Sequence, residues 1–192
     1  MGLYQQNLAA HICGMAILDI ALMGHSILSQ LADPVEDPTA PAVHSLVTDM
    51  METMAAAGGV GLAAPQVKQA LQLVIFEVPA NRAADGVGLP LTVLINPVIE
   101  PLATAVEEAY EGCLSIPGLT GVVPRWRHIG YRGLGLDGKP IEREATGFHA
   151  RVVQHECDHL LGALYPTRMR DLSTLAFTEQ LRRLAQEQED CR

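Results

Sequence analysis

Apolar residues recur with a helical period near the start of the chain. From Val43 to residue 54, the apolar side chains follow Val43 at three, four, seven, eight and eleven positions. This spacing places them on one face of an α-helix. Pro41 precedes the run, while Gly58 and Gly59 follow it, as is typical of helix beginnings and ends. We therefore predict an N-terminal amphipathic helix that starts after Pro41 and ends before Gly58.

Two further helical patterns occupy the last third of the chain. The first covers residues 147–161. One of its faces would carry Phe148, Val152, His155, Glu156 and His159. Cys157 would point roughly the other way. The second pattern follows Asp171, a plausible N-cap, with leucines at 175, 181 and 184. It predicts a C-terminal helical tail over residues 171–192.

Between the first and second helices, short runs of branched and apolar residues predict β-strands. The predicted strands cover residues 71–78, 91–95, 105–115, 121–123, 128–136 and 139–145. Asp137 and Gly138 favour a hairpin turn between the last two strands. We predict an α+β fold in which mostly antiparallel sheets pack around the central helix of residues 147–161, with one helix near each end of the chain.

Length and composition indicate one globular domain with a short extension. The chain has 192 residues, of which 48% are apolar and 18% charged, and this is enough to bury a core. We interpret residues 1–14 as an N-terminal extension that is either disordered or not translated, because the pattern after Met15 resembles a natural beginning. Residues 15–170 would then form the main domain, ahead of the tail of residues 171–192.

Charge and hydropathy bear on partners and location. The net charge of −9 argues against a nucleic-acid binder that depends on phosphate contacts. The first basic side chain is Lys68, so residues 1–67 lack the features of a secretory signal or transit peptide. The apolar stretch of residues 8–23 is broken by His11 and Asp19 and is too short to span a membrane well. We expect a cytoplasmic protein without nucleic-acid or membrane partners.

The most informative motif lies on the predicted central helix. Residues 154–159 read Gln-His-Glu-Cys-Asp-His, which contains an H-E-x-x-H pattern. On a helix, His155 and His159 lie one turn apart and can hold one metal ion, with Glu156 beside it. Two imidazoles leave the ion short of ligands, so the third ligand decides the class of enzyme. The alternative is an ordinary amphipathic helix whose histidines belong to the core or surface.

A cysteine offers the third ligand. Cys113 lies in Glu-Gly-Cys-Leu-Ser, residues 111–115, and a thiolate with two imidazoles leaves a fourth tetrahedral position open. The alternative is a small buried hydrophobe, the usual role of a free cysteine. The spacing of the four cysteines, at 13, 113, 157 and 191, does not suggest a disulfide framework.

A glycine-rich segment precedes the first predicted strand. Residues 59–66 read Gly-Val-Gly-Leu-Ala-Ala-Pro-Gln, and small residues of this kind allow a substrate to approach the backbone closely. Gln66 adds an amide donor. A phosphate-binding loop does not fit, because no lysine follows in the required arrangement and the segment leads into a strand. A simple connector between helix and strand is the other alternative.

Together, the three motifs resemble those of the peptide deformylase family, G-x-G-L-A-A-x-Q, E-G-C-L-S and Q-H-E-x-D-H-L, in that order and at similar separations. The resemblance extends from about Met15 to about Met169. It implies a metal-dependent hydrolase that removes the formyl group from the N-terminal formylmethionine of newly synthesised proteins and releases formate. Residues 15–170 would be the catalytic domain, and formylmethionyl peptides of nascent chains would be the substrate.

The resemblance also implies a role for each motif residue. Fe²⁺, for which Zn²⁺, Ni²⁺ or Co²⁺ can substitute, would be bound by Cys113, His155 and His159. Glu156 would be the acid–base group, while the Gln66 amide and the Leu114 backbone N–H would stabilise the oxyanion. Substrate binding would involve Val60, Gly61, Gly112, Phe148 and Val152. Core packing is an equal alternative for Phe148 and Val152. Glu111 and Arg125 would form either a supporting ion pair or a solvated one.

Two other functions are compatible with parts of the sequence. In a zincin peptidase, Glu179 would supply the third ligand, since no histidine follows His159. A degenerate homologue could act as a binding module instead. In some deformylases a basic C-terminal helix docks on the ribosome. Here Arg182 and Arg183 are followed by acidic residues, so we expect at most a weak ribosome contact.

Overall fold

The computed structural model describes residues 16–83 and 86–190, so the extension predicted over residues 1–14 lies outside the described part of the chain. Within that part, the α-helices are α1 (Pro41–Ala56), α2 (Gly147–Leu160) and α3 (Thr178–Asp190). The β-strands there are β1 (Gly61–Ala63), β2 (Leu73–Val78), β3 (Leu89–Pro101), β4 (Val106–Cys113), β5 (Ile116–Trp126), β6 (His128–Leu134), β7 (Pro140–Thr146) and β8 (Ala176–Phe177).

The strands form two antiparallel sheets. One has five strands in the order β1-β2-β3-β6-β7, and the other has three in the order β4-β5-β8. Every neighbouring pair within the two sheets is antiparallel. Helix α2 packs against strands of both sheets. The predicted α+β fold, with sheets around a central helix and a helix near each end, is confirmed.

Strand β2 shows how the pattern of apolar residues builds the core. Its side chains alternate between the two faces of the sheet, as the two-residue period of a strand requires. Val74 and Phe76 pack in the cluster that contains α2. Leu73 and Ile75 face the other way and pack with the apolar face of α1. Because both faces are covered, every residue of the strand except Glu77 is apolar, and each buried apolar side chain contributes about 1.5–3 kcal/mol.

Two strands are longer than predicted. The predicted strand of residues 91–95 continues to Pro101, although Asn96 and Pro97 are typical turn residues. Asn96 has a φ of 50°, and the register of β3 shifts between Ile95 and Val98. The irregularity lets the first half of β3 pair with β2 and the second half with β6. Strand β5 likewise extends well beyond the predicted residues 121–123 in both directions.

The helix predicted to begin at Asp171 begins instead at Thr178. Asp171 does act as an N-cap, but for the short 3₁₀-helix Leu172–Thr174, where its Oδ1 accepts a hydrogen bond of 2.8 Å from the Ser173 N–H. Leu175 packs against a small core cluster on β5 rather than within α3. A two-residue pairing of β8 with β5 then positions the start of α3.

In the described residues, none of the helices is both long enough and apolar enough to cross a membrane.

Candidate metal centre and active site

The three predicted metal ligands meet although they come from different elements. Cys113 is the last residue of β4, while His155 and His159 lie one turn apart on α2. The potential ligand atoms of the three side chains all lie within 4.8 Å of one another, and the Cys113 Sγ is 3.4 Å from the His159 Nε2. A thiolate with two imidazoles is a typical donor set for zinc and other transition metals. The arrangement therefore fits a divalent metal ion.

Local backbone geometry places Cys113 over the helix. The pairing of β4 with β5 shifts register between Gly112 and Cys113, and the chain then turns back so that Cys113 pairs with Ile116. A bulge of this kind bends the strand and redirects its side chains. The thiol consequently lies beside the histidines of α2.

A buried carboxylate orients the first histidine. Glu111 Oε2 is 2.9 Å from the His155 Nδ1, and Arg125 donates two hydrogen bonds of 2.9 Å to the same carboxylate. Burial alone would raise the pKa of Glu111, but the hydrogen bonds and charges of His155 and Arg125 lower it to about 2. An ionised carboxylate only accepts hydrogen bonds, so Nδ1 must donate, which leaves the His155 Nε2 for a metal.

Glu111 and Arg125 form a buried pair rather than a solvated one, since their side chains are 4% and 6% exposed. Arg151 also belongs to this group and was missed by the sequence analysis. It donates to Glu111 Oε1 at 2.8 Å and to the carbonyl oxygens of Val123 and Glu107 at 2.8 and 2.7 Å. Its position one helical turn before His155 was the available signal.

The ionic group continues behind the metal ligands. Arg125 Nη1 donates to Asp158 Oδ2 at 2.6 Å, and Arg168 donates to both oxygens of Asp158 at 3.1 and 2.6 Å. Asp158 directly precedes His159, but its side chain does not line the same cavity as His155 and Glu156. The spacing of the motif gave no signal for this contact, because Arg125 and Arg168 come from distant segments.

Glu156 is unusually well buried for a residue with a carboxyl group. It is 5% exposed, and its Oε2 has no hydrogen-bond partner among the described residues. Burial, reinforced by the charge of Glu111 and opposed by His155 and Arg125, raises the pKa of Glu156 to about 7. A carboxyl group of this pKa can both accept and release a proton near neutral pH.

Gly61 makes room for that carboxylate. A Cβ added to Gly61 would lie 2.5 Å from the Cδ of Glu156 and closer still to its Oε1. Real Cβ contacts are essentially never that short. The segment that is predicted to approach a substrate closely therefore also approaches the Glu156 side chain closely.

The Gln66 amide is fixed in orientation. It is 2% exposed in the short 3₁₀-helix Ala64–Val67, and its Oε1 accepts a hydrogen bond of 2.9 Å from the Ala63 N–H. The Nε2 therefore faces the metal cluster and lies 3.1 Å from the Ser115 Oγ and 3.5 Å from the Cys113 Sγ. Ser115, completely buried, was not singled out by the sequence analysis.

A cavity of about 390 Å³ is bordered by Cys113, His155, Glu156 and Gln66, but not by His159 or Ser115. The predicted catalytic and substrate-binding residues among its lining are Val60, Gly61, Gln66, Gly112, Leu114, Phe148, Val152 and Glu156. Phe148 and Val152 also pack in the main core, so the two alternatives considered for them are compatible. Arg82 was not predicted, and its guanidinium lies 3.5 Å above the Phe148 ring. Strands β1 and β4, each at the edge of its sheet, flank the cavity.

The alternative third ligand of a zincin peptidase is not near the cluster. The Glu179 side chain is 75% exposed and forms an ion pair with Arg183 on the next turn of α3. Among the described residues, the side chain that groups with His155 and His159 is that of Cys113, and not that of Glu179.

Comparison with known proteins gives a consistent result. A family model described as polypeptide deformylase matches residues 17–174. Peptide deformylase 1 from Bordetella pertussis is 58% identical over 163 residues, which are 84% of this chain and 93% of that protein. Peptide deformylase 2 from Pseudomonas putida is 52% identical over 168 residues, covering 86% of this chain and 94% of that protein.

Solved structures agree in fold. The class I type b peptide deformylase from Acinetobacter baumannii with Met-Ala-Ser bound has a TM-score of 0.75 and 34% identity, covering 81% of this chain and 100% of that one. The Synechococcus elongatus peptide deformylase in complex with actinonin has a TM-score of 0.73 and 36% identity, with 80% and 79% covered. The family model matches most of this chain, and the relatives named above are more than half identical to it. The chain therefore belongs to the polypeptide deformylase family.

Proposed function

We propose that the Cys113, His155 and His159 cluster and Glu156 together carry out the family's reaction in this chain. That reaction removes the formyl group from the N-terminal formylmethionine of newly synthesised proteins and releases formate. One observation carries the assignment of the residues. A sulfur and two imidazole donors lie within 4.8 Å of one another, in a site that also holds the buried Glu156, whose Oε2 has no hydrogen-bond partner among the described residues.

The family depends on a metal, and we propose Fe²⁺ as the ion, with Zn²⁺, Ni²⁺ or Co²⁺ able to replace it. Cys113 would bind through Sγ and His155 through Nε2, because Glu111 engages the other nitrogen of His155. A thiolate and two imidazoles accept each of these ions. When bound, such an ion lowers the pKa of a water molecule to near 7 and polarises a carbonyl group.

Glu156 is the proposed proton carrier. Its carboxylate would take a proton from the attacking water and deliver it to the amine nitrogen as the C–N bond of the formamide breaks. The raised pKa of Glu156, about 7, favours both transfers near neutral pH. Acid–base assistance of this kind contributes about a hundred- to ten-thousand-fold in rate.

Negative charge develops on the formyl oxygen during the attack, and two donors are proposed to stabilise it. The Gln66 side-chain amide is fixed by Ala63 and Ser115, so it needs no reorganisation. The Leu114 backbone N–H, next to Cys113, is the second donor. Removal of one such donor typically lowers the rate about a hundred- to a thousand-fold.

The substrate would lie between two sheet edges. Gly61 belongs to β1 and Gly112 to β4, and each of these strands is terminal in its sheet. An extended peptide can add to such an edge through backbone hydrogen bonds. The unbranched methionine side chain would enter the apolar part of the cavity formed by Val60, Phe148 and Val152.

The proposed partners are the formylmethionyl ends of nascent chains, which points to a cytoplasmic location. We do not expect nucleic acid or a membrane as partners. Helix α3 carries Arg182 and Arg183 together with four acidic residues, and Glu179 pairs with Arg183. This charge balance favours at most a weak contact with the ribosome.

Formate release tests the proposed function directly. The protein would be purified anaerobically with Fe²⁺ and supplied with formyl-Met-Ala-Ser, and formate would be measured over time. Glu156→Ala is the matched control, because it removes the proton carrier and keeps the three ligands. Formate production no greater than that of the control, at equal metal content, would contradict the assignment.

Metal content separates the deformylase from the peptidase alternative. Cys113→Ala is expected to lose the metal, since the sulfur is one of the three clustered donors. Glu179→Ala is expected to retain it, because that side chain is exposed on α3. The opposite pattern, with metal retained in Cys113→Ala and lost in Glu179→Ala, would favour a zincin-type site.

A further inference from the structure

A second and larger cavity of about 570 Å³ lies behind α2, on the side away from the catalytic cavity. We call it the rear groove. Its lining includes Val98, Trp126, Asp158, Leu161, Arg168 and Arg170. Residues of β3 and β5 line it, so both sheets contribute to its walls. The proposed deformylation does not use any of these side chains to contact substrate.

The helical period explains why one helix borders two cavities. The catalytic cavity is lined by Phe148, Val152, His155 and Glu156, which share one face of α2. The rear groove is lined by Gln154, Cys157, Asp158 and Leu161, at spacings of three and four residues on the opposite side. A ligand in the rear groove would therefore not occupy the substrate site.

The rear groove has an unusually apolar rim for a surface concavity. Val98, Val106, Trp126 and Leu161 are 46%, 43%, 43% and 61% exposed, and all four line it. Single exposed apolar residues are common, but a group of them around one concavity is typical of a binding site.

The charged groups in the rear groove are predominantly positive. Its lining has three arginines, Arg125, Arg168 and Arg170, and one carboxylate, Asp158. Arg168 uses Nε and Nη2 on Asp158, and its Nη1 has no hydrogen-bond partner among the described residues. The side chain of Arg170 is 68% exposed, and its Nη1 lies 3.4 Å from the Glu108 Oε1. An exposed ion pair of this kind is weak. Arg125 is buried and paired with Glu111 and Asp158, so the exposed guanidinium groups of Arg168 and Arg170 are the ones that favour an anion.

We propose that the rear groove binds a small amphipathic carboxylate. The carboxylate head would pair with Arg168 and Arg170, and the hydrocarbon tail would lie against Trp126 and Leu161. A guanidinium group matches a carboxylate in shape and charge, and the apolar rim removes the tail from water. A concavity of this size is in the range of small-ligand sites, about 300–1,000 Å³. A stable protein partner would require about 800 Å² of contact surface on each side.

The single tryptophan of the chain makes this proposal directly measurable, because Trp126 lines the rear groove. Sodium decanoate, kept below its micelle concentration, would be titrated into the metal-loaded full-length protein while tryptophan emission is recorded. We expect a saturable change, and binding about tenfold tighter than that of 1-decanol, which has the same chain length without the charge. A saturating amount of Met-Ala-Ser, directed at the catalytic cavity, should leave decanoate affinity unchanged.

Three substitutions at exposed positions test the residues without disturbing the fold. Leu161→Glu introduces a like charge and removes apolar surface, so decanoate affinity should fall about tenfold or more. Arg170→Gln removes one cation and should weaken binding about threefold. Arg132→Gln is the control, since Arg132 is similarly exposed but lies outside the groove, and it should have no effect. Thermal melting would establish that each variant is folded.

Several results would overturn the proposal. These are a fluorescence change that does not saturate, equal affinity for decanol and decanoate, displacement by Met-Ala-Ser, and equal weakening in Leu161→Glu and Arg132→Gln. Sedimentation of the protein with and without decanoate covers one more case. A change in oligomeric state that accounts for the fluorescence signal would assign the groove to a second copy of the chain instead.

Discussion

The carboxylate of Glu156 lies against the backbone of Gly61, where the absence of a side chain is a requirement of the site. The Oε2 of the same carboxylate lacks a hydrogen-bond partner among the described residues, and the pKa of Glu156 is raised to about 7 mainly by burial. The proposed function of Glu156 as a proton carrier therefore depends on Gly61, a residue of another element, β1.

Gly61→Ala is expected to lower kcat for formyl-Met-Ala-Ser about a hundredfold, because the new Cβ displaces the Glu156 carboxylate and removes acid–base assistance. Metal content should be unchanged, since none of the three ligands is touched. Gly130→Ala is the matched control on β6, where an added Cβ meets its nearest neighbour at 3.4 Å. A normal kcat in Gly61→Ala would show that the position of Glu156 is not critical.

Glu111 has a different function at the residue scale, because it joins a metal ligand to two arginines. Its carboxylate accepts hydrogen bonds from His155, Arg125 and Arg151, and its side chain is 4% exposed. Removal of one partner from a buried ionic group leaves the others desolvated without compensation. The motif drew attention to Cys113, but the glutamate two residues earlier is equally constrained.

Glu111→Gln should reduce the free energy of unfolding by about 3 kcal/mol and weaken metal binding about ten- to a hundredfold. The first effect follows because Arg151 loses its carboxylate partner and Arg125 keeps only that of Asp158. The second follows from the loss of the carboxylate that orients His155. Urea unfolding and chelator competition would measure them. The exposed Glu144→Gln, which removes the partner of His128, should cost less than about 1 kcal/mol. Similar losses in both variants would argue against the buried ionic group.

At the scale of elements, the sequence predicted the limits of α1 and α2 better than those of α3 and the strands. The 3.6-residue period placed Phe148, Val152, His155 and Glu156 together, and all four line one cavity. The predicted strand of residues 91–95 stops before Asn96 and Pro97, whereas β3 continues to Pro101. Nothing local indicates that the strand continues, since what stabilises Asn96 is a contact with a segment sixty residues away. Propensity describes a residue's own preference and not the partner that overrides it.

Asn96 provides a test of that contact. Its Oδ1 accepts from the Val35 N–H and its Nδ2 donates to the Val35 carbonyl, both at 2.9 Å, while its φ is 50°. Asn96→Ala should lower the free energy of unfolding by about 2–3 kcal/mol, from two lost hydrogen bonds and an unfavourable backbone conformation. Asn96→Gly loses the bonds but tolerates the conformation, so it should cost about 1 kcal/mol less. Equal stability of the wild type and both variants, by urea unfolding, would refute this account of β3.

At the scale of the whole molecule, the proposed metal cluster joins the three-stranded sheet to α2, alongside the ion pairs and hydrogen bonds of Arg125, Arg151 and Gln154. Cys113 belongs to the three-stranded sheet, whereas α2 packs mainly on the five-stranded sheet. The three motifs indicated the deformylase family from the sequence, but no spacing rule predicts that positions 46 residues apart approach to 3.4 Å. The layout of Arg125, Asp158 and Arg168 was equally hidden, because it depends on how the two sheets pack against α2.

Metal removal should therefore weaken the whole fold and not just abolish activity. An ion that binds only the native protein stabilises it by about 2.7 kcal/mol when present at a hundred times its Kd. In a chain of this length, such a loss corresponds to a decrease in Tm of roughly 5–10 °C, measurable by calorimetry before and after chelation. Cys113→Ala, which lacks the ligand from the three-stranded sheet, should melt at the same temperature with or without chelator. The opposite result is that chelation lowers the Tm of Cys113→Ala as much as that of the wild type. That result would place the stabilising ion elsewhere in the protein and contradict the proposed cluster.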